Sequence, residues 1–251
     1  ACPDLAECLD AARLDRQLEK AFSSYKRAAK TNVSGGEIEF IHSSLTLEGN
    51  TLTLSETERL IQENIPPATK PFRDAQQALD YKNALDQFLV MQVPITEEIV
   101  LSFHRTAMNT LSGGAGMIRR QNVRIKDNPH FKTPDWKMVP KLLEEFFEKA
   151  GRLGMQKKKS AVQAVEEASF LHNEFQRIHP FVDGNSRTAR ALFTKYLLQH
   201  GFPLVRIQVG FNDQYMNLTK LSRQRDDWKL GLLMKQITLE NLRAAIQRME
   251  Y

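Results

Sequence analysis

The sequence predicts an all-α fold interrupted by one short β-hairpin. Three observations carry this. Apolar residues recur at three- and four-residue spacing through most of the chain. Capping signals and helix breakers cut that periodicity into pieces of ordinary helical length. Only Val123–Arg124–Ile125 alternates, and it lies in a stretch broken by Gly113, Gly114, Gly116 and Pro129. The 251 residues, 41% of them hydrophobic and 26% charged, are enough to bury a core without a disulfide or metal staple.

The elements follow in order. Residues 4–30 carry a stripe of Leu5, Leu9, Ala12, Leu18, Phe22, Tyr25 and Ala29. A capping pattern, Ser34–Gly35–Gly36–Glu37, opens a second helix that must stop at Glu48–Gly49–Asn50. Thr53 and Glu56 have capping-box spacing, and their helix ends before Pro66–Pro67. Residues 72–91 and 97–110 give two more helices, split by Pro94. Leu111 to Pro134 reads as a long loop holding the hairpin, a length that usually marks function. Helical periodicity returns at 135–151, 160–178, 185–200, near 212–222 and at 227–249. No repeat or composition break divides the chain. An N-terminal helical region (1–90) is expected to pack on a main domain (95–240), with 241–251 ending the last helix.

Composition excludes several classes. No window approaches 18 consecutive apolar residues, so no membrane segment is expected. The first ten residues are acidic where a secretory signal would be basic. The chain opens on Ala1, as a processed or trimmed product does. Cys2 and Cys8 are the two cysteines, which fits a reducing, cytoplasmic setting and no cysteine-held zinc. A net charge of +5 allows a nucleic-acid or anionic-ligand site without indicating one, and the scatter of Lys and Arg argues against a nucleic-acid partner. The short run Lys157–Lys158–Lys159 reads as a solvated turn.

Chemistry concentrates in Ile178-His-Pro-Phe-Val-Asp-Gly-Asn-Ser-Arg-Thr-Ala-Arg190. Pro180 stops a helix at His179, and a new helix begins near Asn185 after a tight loop. A helix N-terminus offers unpaired N–H groups and the positive dipole end, which together suit an anion. Arg187 and Arg190 share a face of that helix, and two guanidinium forks there suit a polyphosphate. Asp183 could hold a divalent cation against it, and His179 could exchange a proton near neutral pH. Each also has a structural reading: His179 as a helix cap, Asp183 as an N-cap, the arginines as solvent-facing charges.

This segment resembles the signature of the Fic family, His-x-Phe-x-(Asp/Glu)-Gly-Asn-Gly-Arg-x-x-Arg. His179, Phe181, Asp183, Gly184, Asn185, Arg187 and Arg190 match it, and Ser186 replaces a glycine. The resemblance implies transfer of AMP from ATP to a Ser, Thr or Tyr hydroxyl of a target protein. It assigns His179 as general base, Asp183 as Mg2+ ligand, and Phe181 as the loop's core anchor. Gly184 and Asn185 fall on the phosphate-cradling turn, and Arg187 and Arg190 on phosphate contacts. Ser186 costs little if its φ is negative; it could also donate its hydroxyl to the phosphates.

The likeness extends further. Ser44-Leu-Thr-Leu-Glu48-Gly49 is similar to the family's inhibitory pattern, with Ser44 and Glu48 one turn apart. It implies an inhibitory helix at about 37–49, whose Glu48 engages Arg190 and denies it to the γ-phosphate. Gly116-Met-Ile-Arg119-Arg-Gln-Asn-Val123-Arg-Ile125 resembles the family's flap, so Arg119, Val123 and Ile125 are expected to meet the target, its edge pairing with an extended segment. Tyr215-Met-Asn-Leu218 is similar to a segment near the adenosine, and His172 reads as structural. Three alternatives stay open. The same residues could remove AMP, with Glu48 placing water; another nucleotide could be the donor; or the chain could be a non-catalytic nucleic-acid-binding or regulatory module. The sequence is silent on the target, and it leaves a homodimer open.

Overall fold

The computed structural model describes residues 5–29, 36–90, 93–125, 128–156 and 158–249, with side chains from Asp10 onward. Cys2, Ser34, Gly35, Lys157 and the side chains of Leu5, Cys8 and Leu9 lie outside the described residues. The helices are α1 (Leu5–Ala28), α2 (Glu37–Thr46), α3 (Leu54–Glu63), α4 (Phe72–Phe88) and α5 (Glu97–Ala107). They continue with α6 (Val139–Met155), α7 (Ala161–Ile178), α8 (Asn185–Gln199), α9 (Asn212–Leu218) and α10 (Asp227–Met249).

Their ends follow local chemistry. The Thr53 side chain accepts from the Glu56 N–H at 3.2 Å, while the Glu56 carboxylate accepts from the Thr53 N–H at 2.8 Å. That closes the capping box expected at α3. The Thr96 side chain accepts from the Ile99 N–H to cap α5, and the Ser160 side chain accepts from the Gln163 N–H to cap α7. Gly49, at φ 87, turns the chain sharply after α2, a left-handed conformation that favours glycine.

Helices α7 and α8 form the central pair. Helix α1 lies along α10 and α7, α4 packs on α5, α6 covers α7, and α2 sits against α3, α4 and α8. The stripe of α1 runs through Leu14, Leu18, Phe22 and Tyr25, leaving Ala12 exposed. One hydrophobic cluster includes residues from Leu14 to Ala245, so the residues before and after position 90 share a core. Among the described residues, no helix is long and apolar enough to cross a membrane.

Among the described residues, the expected hairpin is represented by a single antiparallel bridge, Arg124 to Lys132. Asn128 accounts for the missing ladder. Its Oδ1 accepts from the backbone N–H groups of His130 and Phe131, and its Nδ2 donates to the carbonyls of Lys220 (2.9 Å) and Ser222 (2.6 Å). Side-chain bonds thus satisfy backbone donors that strand pairing would otherwise use.

Candidate active site

Helix α7 ends on His179, whose φ of 50 places it in the left-handed region. That conformation is uncommon outside glycine and asparagine and requires support. Arg119 supplies it. Its backbone N–H donates to the Pro180 carbonyl at 2.9 Å, and its Nε donates to the His179 carbonyl at 2.8 Å. The remaining guanidinium nitrogens donate to the carbonyls of Gln121 and Pro134. Arg119 is 2% exposed, so the expectation that it meets a target is corrected: it ties the flap to the His179 backbone. Of the other flap residues, Ile125 lines the same cleft as His179, and Val123 is half-buried.

The His179 Nδ1 lies 3.3 Å from the Gln176 carbonyl. A carbonyl only accepts, so Nδ1 carries the proton and Nε2 keeps its lone pair. Burial pushes the pKa of His179 down to about 4. The ring is therefore neutral at physiological pH, the state a general base needs.

The loop after His179 is closed from within. Phe181 is buried; Asn185 Oδ1 accepts from its N–H and Asn185 Nδ2 donates to its carbonyl, both at 2.9 Å. Asn185 therefore serves the loop with its side chain, leaving only its backbone for a phosphate. Gly184 has φ 82 and lacks space for a Cβ, which would fall 2.8 Å from His104 Nε2 and Met108 Sδ. Changing Gly184 to Ala should cost about 2–4 kcal/mol, the sum of left-handed strain and overpacking. A thermal midpoint equal to the parent's would show that the loop relaxes freely around the added methyl.

Helix α8 begins at Gly184 with no side-chain cap, so its first backbone N–H groups open on the cleft. Arg187 is 3% exposed, and its Nε and one terminal nitrogen have no hydrogen-bond partner. Buried, unpaired guanidinium donors are costly, and an anion is what satisfies them. Asp183 Oδ1 accepts from the Gly184 N–H at 2.6 Å and from Arg187 at 3.2 Å. Ser186 is absent from the positive-φ residues, so its Cβ carries no backbone strain. Its hydroxyl bonds to the Gln176 amide at 3.2–3.3 Å.

Arg190 is fully engaged from across the fold. It donates to Glu48 Oε1 at 2.8 Å, to the Ser44 carbonyl at 2.8 Å and to the Ser44 hydroxyl at 2.9 Å. The Tyr81 hydroxyl sits 3.0 Å from the Ser44 hydroxyl and donates to the Arg187 carbonyl at 3.3 Å, so α2, α4 and α8 meet at one polar knot. Burial works against the Glu48 carboxylate, but Arg190 and Arg187 outweigh it and hold its pKa below the ordinary value. The same pairing overcomes burial to raise Arg190. Glu48, His179, Asp183 and Arg187 thus line one cleft of about 400 Å³.

Residues 94–197 match the family described as Fic/DOC. These residues form a Fic domain. The chain is 26% identical over 236 residues to the protein adenylyltransferase Fic of Drosophila mojavensis, covering 89% of this chain and 45% of that one. It therefore spans about half the length of the curated relatives it matches. Its fold superposes on a Fic domain-containing signaling protein from Bacteroides thetaiotaomicron with a TM-score of 0.77, at 20% identity, over 93% of this chain and 97% of that one. A Fic family protein from Desulfovibrio desulfuricans superposes at 0.78, with 21% identity over 96% of this chain and 75% of that one.

Two residues around this Fic domain's cleft stand apart from their expected or visible roles. Tyr215 is corrected: it is 1% exposed, and its hydroxyl pairs with His172 Nε2 at 2.8 Å. A buried phenol requires such a partner, and Tyr215 supports the site from behind instead of lining the cleft. His172 is structural as expected, burial holding its pKa down to about 3. His104 had no signal in the sequence beyond being a histidine on a helix. Its ring stacks on Phe181 with centroids 3.6 Å apart. Nδ1 accepts from the Gly116 N–H, so Nε2 donates to the Asp183 carbonyl, both at 2.8 Å. Burial pushes its pKa to about 4, which keeps this neutral arrangement intact.

Proposed function

We propose that this chain is a protein adenylyltransferase, moving AMP from ATP to a Ser, Thr or Tyr hydroxyl of a target protein, and that Glu48 holds it in an inhibited state. One observation carries the reading. A neutral His179 and a buried Arg187 with unpaired donors share a cleft whose second arginine, Arg190, is taken by Glu48. The name borne by the Drosophila relatives, protein adenylyltransferase, supports the same chemistry.

In this mechanism the target oxygen attacks the α-phosphorus of ATP. The bond from the α-phosphorus to the bridging oxygen breaks, pyrophosphate leaves, and the hydroxyl proton passes to His179 Nε2. The open donors of Arg187 and the first N–H groups of α8 stabilise the leaving pyrophosphate. Asp183, half-exposed to the cleft, fits Mg2+, which is usually held by one or two carboxylates and substrate phosphates rather than a protein cage. Bound there, the ion would neutralise phosphate charge. Ser44 and Glu48 deny Arg190 to the γ-phosphate until α2 shifts.

The test uses the Glu48→Gly variant and ATP labelled at either the α- or the γ-phosphorus. The α-label should join protein and the γ-label should not. Transfer of the γ-label would mean a kinase and would refute the proposal. In the same background, Arg187→Ala removes a charge-assisted contact worth about 1.5–3 kcal/mol, so calorimetry should find ATP bound roughly 10- to 150-fold more weakly. Unchanged affinity would place the phosphates elsewhere.

A further inference from the structure

The mouth of the cleft holds cations that no carboxylate among the described residues pairs with. Arg73 at the start of α4, Arg124 on the flap and Lys220 after α9 all line it. Among the described residues none of the three forms an ion pair, although Lys220 adds to the field that keeps Glu48 ionised. The carboxylates lining the same cleft are already engaged. Glu48 binds Arg190, Asp74 accepts from the Thr51 N–H and hydroxyl, and Asp183 accepts from Gly184 and Arg187.

The flap adds an independent sign. Its one bridge sets Arg124 directly opposite Lys132, and both side chains are exposed. Like charges facing each other across a strand pair destabilise it. A local conflict of this kind is expected where function, not folding, selects the residues. The deep phosphate groups belong to α8, at Arg187 and Arg190, so Arg124 and Lys132 face what arrives from the flap side.

We propose that the acceptor is an acidic segment, in which Asp or Glu side chains flank the hydroxyl that reaches His179 and pair with Arg124, Lys132 and Arg73. This rests on the transferase reading above. The pairing favours capture of anionic targets over cationic ones and makes capture sensitive to salt, because rim charges act mainly through screened, longer-range attraction.

The experiment gives the Glu48→Gly variant α-labelled ATP and two extended peptides, one with threonine flanked by glutamates and one with the same threonine flanked by lysines. The acidic peptide should be used with at least about tenfold higher kcat/KM, and the advantage should shrink as salt rises. Reversing the flap charges (Arg124→Glu with Lys132→Glu) should shift the preference to the lysine peptide while ATP affinity holds; Arg73→Glu should weaken the acidic preference alone. Equal use of the two peptides, use of neither while the chain labels itself, or a parallel loss of ATP affinity in the reversed variants would overturn the inference and leave the transferase reading standing. If no α-label reaches any peptide or the chain itself, the transferase reading falls and this inference falls with it.

Discussion

Replacing Glu48 with glycine is expected to raise AMP transfer by about 10²–10⁴-fold, read as AMP-sized mass added to the chain itself in ATP and Mg2+. The estimate follows from the pair it removes. Glu48 and Arg190 are 19% and 4% exposed as side chains and meet at 2.8 Å. Breaking such a buried pair by displacing one partner costs about 3–5 kcal/mol, and a triphosphate that needs Arg190 must meet that cost in the parent. In the variant the guanidinium keeps its bonds to Ser44, which are neutral and weaker, and it can turn toward phosphate. An inert variant, tested with ATP and the other common nucleotides, would remove the main support for inhibition by α2. A parent that strips AMP from a modified protein, with a variant that cannot, would instead make Glu48 a residue that places water.

Adding His179→Ala to the Glu48→Gly variant should silence it again, by about 10²–10⁴-fold in rate, with ATP binding unchanged. Binding stays because the phosphate groups, Arg187 and the start of α8, are separate from the imidazole. The pH profile gives a second reading of the same residue. Burial holds His179 at about 4, so the base is deprotonated throughout the neutral range. The rate limited by this group should stay level as pH falls from about 8 to 5 and drop as it passes about 4. A fall centred between pH 6 and 7 would mean that the working imidazole is solvated. Transfer by the double variant at the Glu48→Gly rate would remove His179 from the mechanism.

What the sequence determined alone is what depends on neighbours along the chain. Helical periodicity, the Thr53–Glu56 box, the stop at His179–Pro180 and the start at Gly184 all rest on contacts within a few residues. The spacing of Arg187 and Arg190 on one face, and of Ser44 and Glu48 across one turn, is set by helix geometry. The helix stop, the turn and the second helix start between His179 and Arg190 were therefore legible in the sequence, while the roles of these residues and the pairing of Glu48 with Arg190 entered through the resemblance.

Other features required the packed molecule, because burial and partner choice are set by elements distant in sequence. Glu48 and Arg190 are 142 residues apart, and only the seating of α2 between α4 and α8 brings them into one desolvated site. His104 acquires its part because α5 sets an imidazole beneath a glycine 80 positions later. The motif marked Arg119 and Tyr215 but placed them in front of the ligand. Packing turned both inward: Arg119 toward strained carbonyls that needed donors, Tyr215 toward a buried histidine. The flap alternated like a hairpin, yet Asn128 drew its backbone donors to itself and fastened the loop to residues 220 and 222. Alternation reports which side chains share a face, whereas a ladder forms only if no competing side chain satisfies the backbone first.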